Sequence, residues 1–168
     1  IGWITFFDLG FGHGFRNKFA EAKANRDYKL ARKYVSTTYF SVACIVLVLL
    51  IFLFIANRYI NWCEFLRLSN NLQFELKKVF EIVVIFTSLT MIANVFNSLL
   101  AADMKPGVTS IINGISQYAV LIVLFVLTRN TKGSLVDLAF VSSVIPFMML
   151  FVVSLLVFKY SRYKIYSP

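Results

Sequence analysis

The chain has 168 residues, of which 59% are hydrophobic and only 15% are charged, and its mean hydropathy is +0.75. A soluble globular domain has about a quarter of its residues charged, so the composition excludes an ordinary soluble domain and indicates a membrane protein. In a soluble protein, the net charge of +9 would suggest that the partner is a nucleic acid. Here the basic residues fall between apolar blocks, where membrane topology and anionic headgroups explain them better, and we expect no nucleic-acid partner.

Five apolar segments follow one another along the chain. The first, at about residues 1–11, starts with no initiator methionine, so we interpret it as the end of a truncated span in an internal part of a longer protein. The other four are long enough to cross a hydrocarbon core, which takes about 20 residues. They extend over about 38–56, 79–102, 108–128 and 138–158. The predicted fold is all-α, a polytopic membrane helix bundle.

Two of the connections carry helical signals of their own. Residues 17–24 and 28–34 are rich in Ala, Glu, Lys and Arg, which favour helix. The Asn-Arg-Asp sequence at 25–27 reads as a break between them. We therefore predict a helix, a short turn and a basic helix that runs into the next span. The stretch 61–78 predicts a short interfacial helix, because Trp62 suits a headgroup boundary.

Lys and Arg residues concentrate on one side of the predicted membrane. Eleven of the 17 lie in the 12–36 connection, the 103–107 turn and the C-terminal tail, and the other six lie in the opposite connections. Because cytoplasmic loops carry an excess of Lys and Arg, these three segments are predicted to be cytoplasmic.

Residues 8–18, DLGFGHGFRNK, contain three glycines on alternate positions. A dinucleotide fingerprint needs G-x-G-x-x-G after a strand, and a P-loop needs a Ser or Thr after its lysine. Phe15 stands where the third glycine of the fingerprint belongs, and Lys18 is followed by Phe19. Gly10 and Gly14 instead have the G-x-x-x-G spacing that lets membrane helices approach closely. We expect these glycines to serve helix packing or bending.

Polar residues recur on one face of two consecutive spans. They are Thr87, Thr90, Asn94 and Asn97 in the 79–102 span, and Thr109, Asn113, Ser116 and Gln117 in the 108–128 span. The short turn at 101–107 makes these helices antiparallel neighbours. The two faces either line one water-accessible cavity or form hydrogen bonds between helices, and the sequence leaves both alternatives open.

Five further residues are unusual for their position near or inside a span. Asp8 lies in the truncated span and suggests a cation or proton site or an ion pair. Glu81 is close to the end of its span and points away from the polar face, so we interpret it as interfacial. His13 is expected at the membrane boundary, and Arg16 acts either as a topology determinant or as a ligand for an anion. Pro146 is expected to kink the last span, because proline removes a backbone hydrogen bond.

Motifs of membrane-embedded enzymes are absent from the sequence. It contains no H-E-x-x-H, no G-x-S-x-G, no Asp-rich metal cluster and no Cys/His set. Cys44 and Cys63 have neither metal-site nor disulfide spacing. We therefore expect no enzyme activity, no catalytic residues, no metal and no cofactor.

Two stretches resemble the polysaccharide/O-antigen flippases of the multidrug/oligosaccharidyl-lipid/polysaccharide superfamily. The first is FFDLGFGHGFRNKFAEAKANRDYKLARKYVSTTYF, with the order D-L-G-x-G-x-G-x-R-N-K, then A-E-A and D-Y-x-x-A-R-K-Y-V-S. The second is LLAADMKPGVTSIINGISQYAVL, with its K-P turn and the polar segment that opens the next span. The resemblance extends over roughly residues 3–166.

The resemblance implies a partial N-terminal lobe, from the end of helix 2 through helix 6, of a two-lobed transporter of about 12–14 helices. Such a protein flips an undecaprenyl-pyrophosphate-linked oligosaccharide, an O-antigen or capsule repeat unit, across the bacterial inner membrane by alternating access. Its implied partners are the lipid-linked oligosaccharide, membrane lipids, and a polysaccharide polymerase and glycosyltransferases.

The same resemblance suggests roles for individual residues. Arg16 and Lys18 would attract the diphosphate, and Asp8 would couple transport to an ion. Sugar hydroxyls would hydrogen-bond to the four amide side chains of Asn94, Asn97, Asn113 and Gln117. Bending would occur at Gly10, Gly14 and Pro146.

Two alternatives remain open at the level of sequence. A multidrug cation antiporter of the same superfamily would line its cavity with more acidic than basic residues. A non-transporting membrane scaffold of a polysaccharide assembly complex would bury the polar faces in dry helix contacts.

Overall fold

The computed structural model describes residues 11–65, 67, 72–103, 106–130 and 134–160. Within these residues the chain is all-α, and four of its helices are long and apolar enough to cross a membrane. The predicted multi-pass helix bundle is confirmed. The truncated span through Gly10, including Asp8, lies outside the described residues, as does the C-terminal tail from 161 onward. The six described helices are α1 (Phe11–Ala24), α2 (Tyr28–Tyr59), α3 (Trp62–Phe65), α4 (Gln73–Ala102), α5 (Pro106–Asn130) and α6 (Leu135–Tyr160).

The turn between α1 and α2 is defined by backbone hydrogen bonds. The N–H of Asp27 donates to the Ala22 carbonyl at 2.9 Å, and the N–H of Arg26 donates to the Lys23 carbonyl at 3.0 Å. This is a Schellman arrangement, and Arg26 takes the left-handed position with a φ of 57°. The Asp27 side chain then accepts a hydrogen bond from the Leu30 N–H at 3.0 Å and caps α2. The predicted helix, break and basic helix are confirmed.

The helices extend beyond the apolar segments from which the spans were predicted. α2 begins at Tyr28, as predicted for the basic helix that runs into the 38–56 span, because its basic first turns favour helix. α4 begins at Gln73 and α6 at Leu135. Before α6, the Ser134 hydroxyl accepts a hydrogen bond from the Val136 N–H at 3.1 Å, which supports the start of the helix. The predicted short helix at 61–78 corresponds to the four residues of α3.

α4 is the central helix, since it contacts each of the other five and packs most extensively against α6. Its buried residues concentrate in its second half, where Phe96 and Leu99 are fully buried. The α1 side chains Phe15 and Phe19 and the α2 side chain Val35 belong to the same hydrophobic cluster. α1 is therefore packed into the bundle, where it contacts both α2 and α4.

Pro146 lies inside α6, and the helix is continuous on both sides of it. Because proline has no backbone N–H, the carbonyl oxygen of Ser142 lacks its usual helical donor. Neighbouring helices can compensate for such a loss in membrane spans, and α6 packs against both α4 and α5. Bending at this position stays a prediction.

The burial of Phe19 leads to a prediction about stability. Phe19 has 0% of its surface exposed, so Phe19→Ala should lower the free energy of unfolding by about 3–5 kcal/mol through lost burial and a residual cavity. Thermal unfolding in detergent would measure the loss. Phe40→Ala is the matched control, since Phe40 on α2 is 71% exposed. Equal destabilisation by the two substitutions would contradict the packing of α1 into the bundle.

Candidate functional site

Two amide side chains of the predicted polar face on α4 bond to each other. The Asn97 side-chain N–H donates to the Asn94 Oδ1 atom at 2.9 Å. Asn94 is exposed, whereas the Asn97 Oδ1 atom is buried and has no hydrogen-bond partner among the described residues. The pair therefore satisfies one amide donor of Asn97 within α4, and the Asn97 Oδ1 atom can still accept a hydrogen bond.

The amides of α5 are not hydrogen-bonded to α4. Asn113 and Gln117 are both exposed, and within the described residues neither makes a side-chain hydrogen bond. On the same helix Ser116 is buried, and the Thr109 hydroxyl is buried without a partner in the described part of the chain. α5 is in contact with α4, as expected, although it contacts α6 more extensively.

The basic residues predicted on α1 differ from each other in environment. Arg16 is half-buried, and its Nε atom is buried without a hydrogen-bond partner among the described residues. Lys18 is exposed, and its ammonium group lies 3.4 Å from the Glu21 carboxylate. Exposed pairs of this kind contribute little energy. Gly14 is also exposed, and a Cβ atom added to it would meet nothing within 4 Å. Close helix packing at Gly14 therefore finds no support among the described residues.

Three of the predicted polar residues are sequence neighbours of one hydrophobic cluster. Arg16, Asn94 and Asn113 lie on three different helices, and each directly follows a buried residue of that cluster. The preceding residues are Phe15, Ala93 and Ile112. The backbone positions of the three polar residues are thus held by neighbours that belong to the same core, although the three are far apart in sequence.

An ion pair joins α1 to the end of α4. The Lys23 ammonium group pairs with the Asp103 carboxylate, whose side chain is only 10% exposed. Asp103 is the C-terminal cap of α4, a place where the helix dipole disfavours negative charge. A cation held against it offsets that penalty. In the sequence, Lys23 is one of the basic residues of the 12–36 connection that indicate membrane topology. The signal for its partner was an acidic residue directly after a predicted helix C-terminus.

A second polar cluster fixes α2 and α3 to α4 at the opposite end of the bundle. Asn57 is 4% exposed. Its side-chain N–H donates to the Glu81 carboxylate at 3.3 Å, and its carbonyl accepts from the Trp62 indole N–H at 2.7 Å. The Gln73 side chain accepts from the Cys63 N–H at 2.9 Å. Glu81 therefore bonds to α2 and not to the amides of α4. The role of Asn57 was not predicted, because a single Asn beside Arg58 carries no distinctive sequence signal.

No group of three or more His, Cys, Asp or Glu side chains that could hold a metal ion occurs in the described ranges. Comparison of the chain with protein-family models, with curated proteins and with solved structures finds no match. The functional interpretation therefore depends on the chemistry of the residues themselves.

The exposed amides lead to a prediction about water access. In a Cys44→Ser background, cysteines at Asn94 and Asn113 should react rapidly with a charged, membrane-impermeant maleimide applied from both sides of the membrane, because only a hydrated thiol ionises and reacts. Ile115→Cys is the matched control on α5, because Ile115 is an exposed apolar residue two positions from Asn113 and should react slowly. Protection of both amide positions would indicate dry packing and would contradict a hydrated face.

The ion pair between α1 and α4 leads to a prediction about coupling. A double-mutant cycle with Lys23→Ala and Asp103→Ala should give a coupling free energy of about 1 kcal/mol, because Asp103 is nearly buried and Lys23 remains partly solvated. Thermal unfolding in detergent would supply the four stabilities. The same cycle on Lys18 and Glu21, which are 63% and 64% exposed, should give a smaller value. Equal coupling free energies in the two cycles would mean that the burial of Asp103 does not strengthen its ion pair with Lys23.

Proposed function

We propose that this chain is part of a bacterial inner-membrane transporter that flips an undecaprenyl-pyrophosphate-linked oligosaccharide by alternating access. One observation carries the proposal. The amide side chains of Asn94, Asn113 and Gln117 are exposed inside spans that are largely apolar. Polar side chains at membrane depth are expensive in lipid and generally face protein or a water-filled cavity.

The depth of these amides supports a shared polar surface. At a rise of 1.5 Å per residue, Asn94 lies about 12 Å from the end of α4 and Asn113 about 10 Å from the start of α5. Both depths are measured from the same turn, at 103–106, so the two side chains occupy a common level. Gln117 lies about 6 Å deeper on α5. A hydrated vestibule entered from this turn would reach all three amides.

The chemistry of this surface favours a glycan over a cation as cargo. Amides offer neutral donors and acceptors that match sugar hydroxyls. α5 contains no Asp or Glu, and two of the acidic residues of α4 and its cap are occupied, Glu81 by Asn57 and Asp103 by Lys23. A cavity for an amphipathic cation would need an available carboxylate. The described residues of α4 and α5 therefore give less support to the multidrug alternative than to a glycan cargo.

Arg16 is the residue best suited to the diphosphate. Its guanidinium can bind phosphate through two parallel hydrogen bonds, and its buried Nε atom has no partner among the described residues. α1 packs against α4, which bears Asn94 and Asn97. Lys18 is a weaker candidate because Glu21 already pairs with it. In this proposal the α1–α2 turn is cytoplasmic, since most of the Lys and Arg residues lie on that side.

The proposal predicts the result of an export assay in a host whose surface glycan depends on the full-length protein. Arg16→Ala should reduce surface polysaccharide about tenfold or more, because a charge-assisted contact to the diphosphate is worth roughly 1.5–3 kcal/mol, whereas Arg16→Lys should retain part of the activity. Arg26→Gly is the control, since it removes one positive charge from the same connection at a left-handed position that glycine favours. Immunoblots would confirm equal protein levels.

Normal export by Arg16→Ala at normal protein levels would remove Arg16 from the binding role. If deletion of the gene left the glycan intact and made the cells sensitive to cationic drugs, the cargo assignment itself would be wrong.

A further inference from the structure

We propose that one face of α2 lies against lipid and that Lys29 and Lys33 on this face bind the phosphate groups of anionic phospholipids. This inference concerns a different surface from the amides of α4 and α5 and does not depend on the cargo. Five successive residues of this face, spaced three or four apart, are all exposed in the bundle. They are Phe40, Cys44, Leu47, Ile51 and Ile55. Such spacing places them on one side of the helix.

Cations bound this apolar face at both ends. Lys29 and Lys33 continue the same spacing toward the start of α2, and Arg58 continues it in the last turn. All three are exposed. From Lys33 to Arg58 the helix rises about 37 Å, and from Phe40 to Ile55 about 22 Å. A bilayer has a hydrocarbon core of about 30 Å and a thickness of about 40–45 Å with its headgroups, so the cations fall at the two headgroup levels.

The one polar side chain of this face between the lysines and the apolar residues is satisfied within the helix. The Thr37 hydroxyl donates to the Lys33 carbonyl at 2.8 Å. No hydrogen-bonding group of Thr37 therefore requires water or a protein partner. The face can enter hydrocarbon directly below the lysines.

The two lysines are available for an external anion. Within the described residues neither forms an ion pair, in contrast to Lys18 and Lys23, which are paired with Glu21 and Asp103. The first turn of α2 contains no acidic residue, and the Asp27 carboxylate that caps the helix accepts from the Leu30 N–H and forms no ion pair with either lysine. An anionic headgroup would offset this excess of positive charge. A free phosphate would satisfy the lysines equally well but would not account for the apolar residues beneath them.

A native thiol allows the lipid contact to be tested in the full-length protein. Cys44 is exposed in the middle of the face, whereas Cys63 is buried. A nitroxide attached to Cys44 in lipid vesicles should collide frequently with oxygen, which concentrates in hydrocarbon, and rarely with a water-soluble nickel chelate. Asn25→Cys in a Cys44→Ser background is the control, because Asn25 lies in the exposed α1–α2 turn and should show the opposite preference. Nickel access at Cys44, or protection from both reagents, would overturn the lipid-facing assignment.

The headgroup contact needs a second measurement. A fluorophore on Cys44 would be quenched by acyl-brominated phosphatidylglycerol or phosphatidylcholine in mixed vesicles, and the ratio of the two gives the relative affinity for the anionic lipid. We expect a preference for phosphatidylglycerol that falls at least about fivefold in the Lys29→Gln/Lys33→Gln variant, since a lysine near an anionic surface contributes about fivefold. Lys29→Arg/Lys33→Arg should keep the preference, and added salt should weaken it.

Equal quenching by the two lipids in the labelled protein that retains Lys29 and Lys33 would overturn the headgroup assignment. So would a preference that survives the double Gln substitution. Neither result depends on glycan export, so failure here and failure of the proposed function can be told apart.

Discussion

Hydrocarbon supplies no hydrogen bonds, and this constraint governs where each polar side chain of the bundle lies. Hydroxyl groups meet it locally, because a Ser or Thr in a helix can donate to a carbonyl three or four residues earlier. The described hydroxyls that do so include those of Thr37, Thr38, Thr90, Thr128, Ser142 and Ser154. Side-chain amides carry two donors and an acceptor and cannot be satisfied this way. The amides of Asn94, Asn113 and Gln117 are therefore more informative about function than the hydroxyls beside them.

The two ends of α4 are fixed by different chemistry. At its C-terminus a charged pair, Lys23 with Asp103, joins it to α1, and the adjacent core is made of fully buried side chains such as Phe96. Near its start Glu81 bonds to Asn57 of α2, and the Trp62 ring packs 4.6 Å from Phe80. Between these ends α4 contacts every other helix. Because both ends are fixed to neighbours, the orientation of α4 about its own axis is determined, and with it the direction in which its amides point.

The sequence was sufficient to predict the helices and their order, because length and apolar content alone define a span. The break at 25–27 was also predictable, since Asp27 caps the following helix. Starting points were less accurate. The α4 helix begins at Gln73, whereas its span was predicted from residue 79, because helix propensity does not distinguish a charged turn from an apolar one. Pairings across the bundle, such as Lys23 with Asp103, were not predictable, since the 12–36 connection contains seven Lys and Arg residues and the sequence does not indicate which of them meets that carboxylate.

The exposed residues of this bundle are of two chemical kinds, apolar side chains on α2 and amide side chains on α5. On α2 the exposed face is apolar over most of its length, and its one polar side chain near the hydrocarbon, Thr37, is internally bonded, so lipid can cover it without cost. On α5 the exposed Asn113 and Gln117 have no partner among the described residues, so lipid would leave several donors and acceptors unsatisfied. The two helices consequently require different surroundings, hydrocarbon for α2 and either protein or water for α5. The transporter proposed above would meet both requirements, because it would present hydrocarbon on its outer surface and water in its cavity.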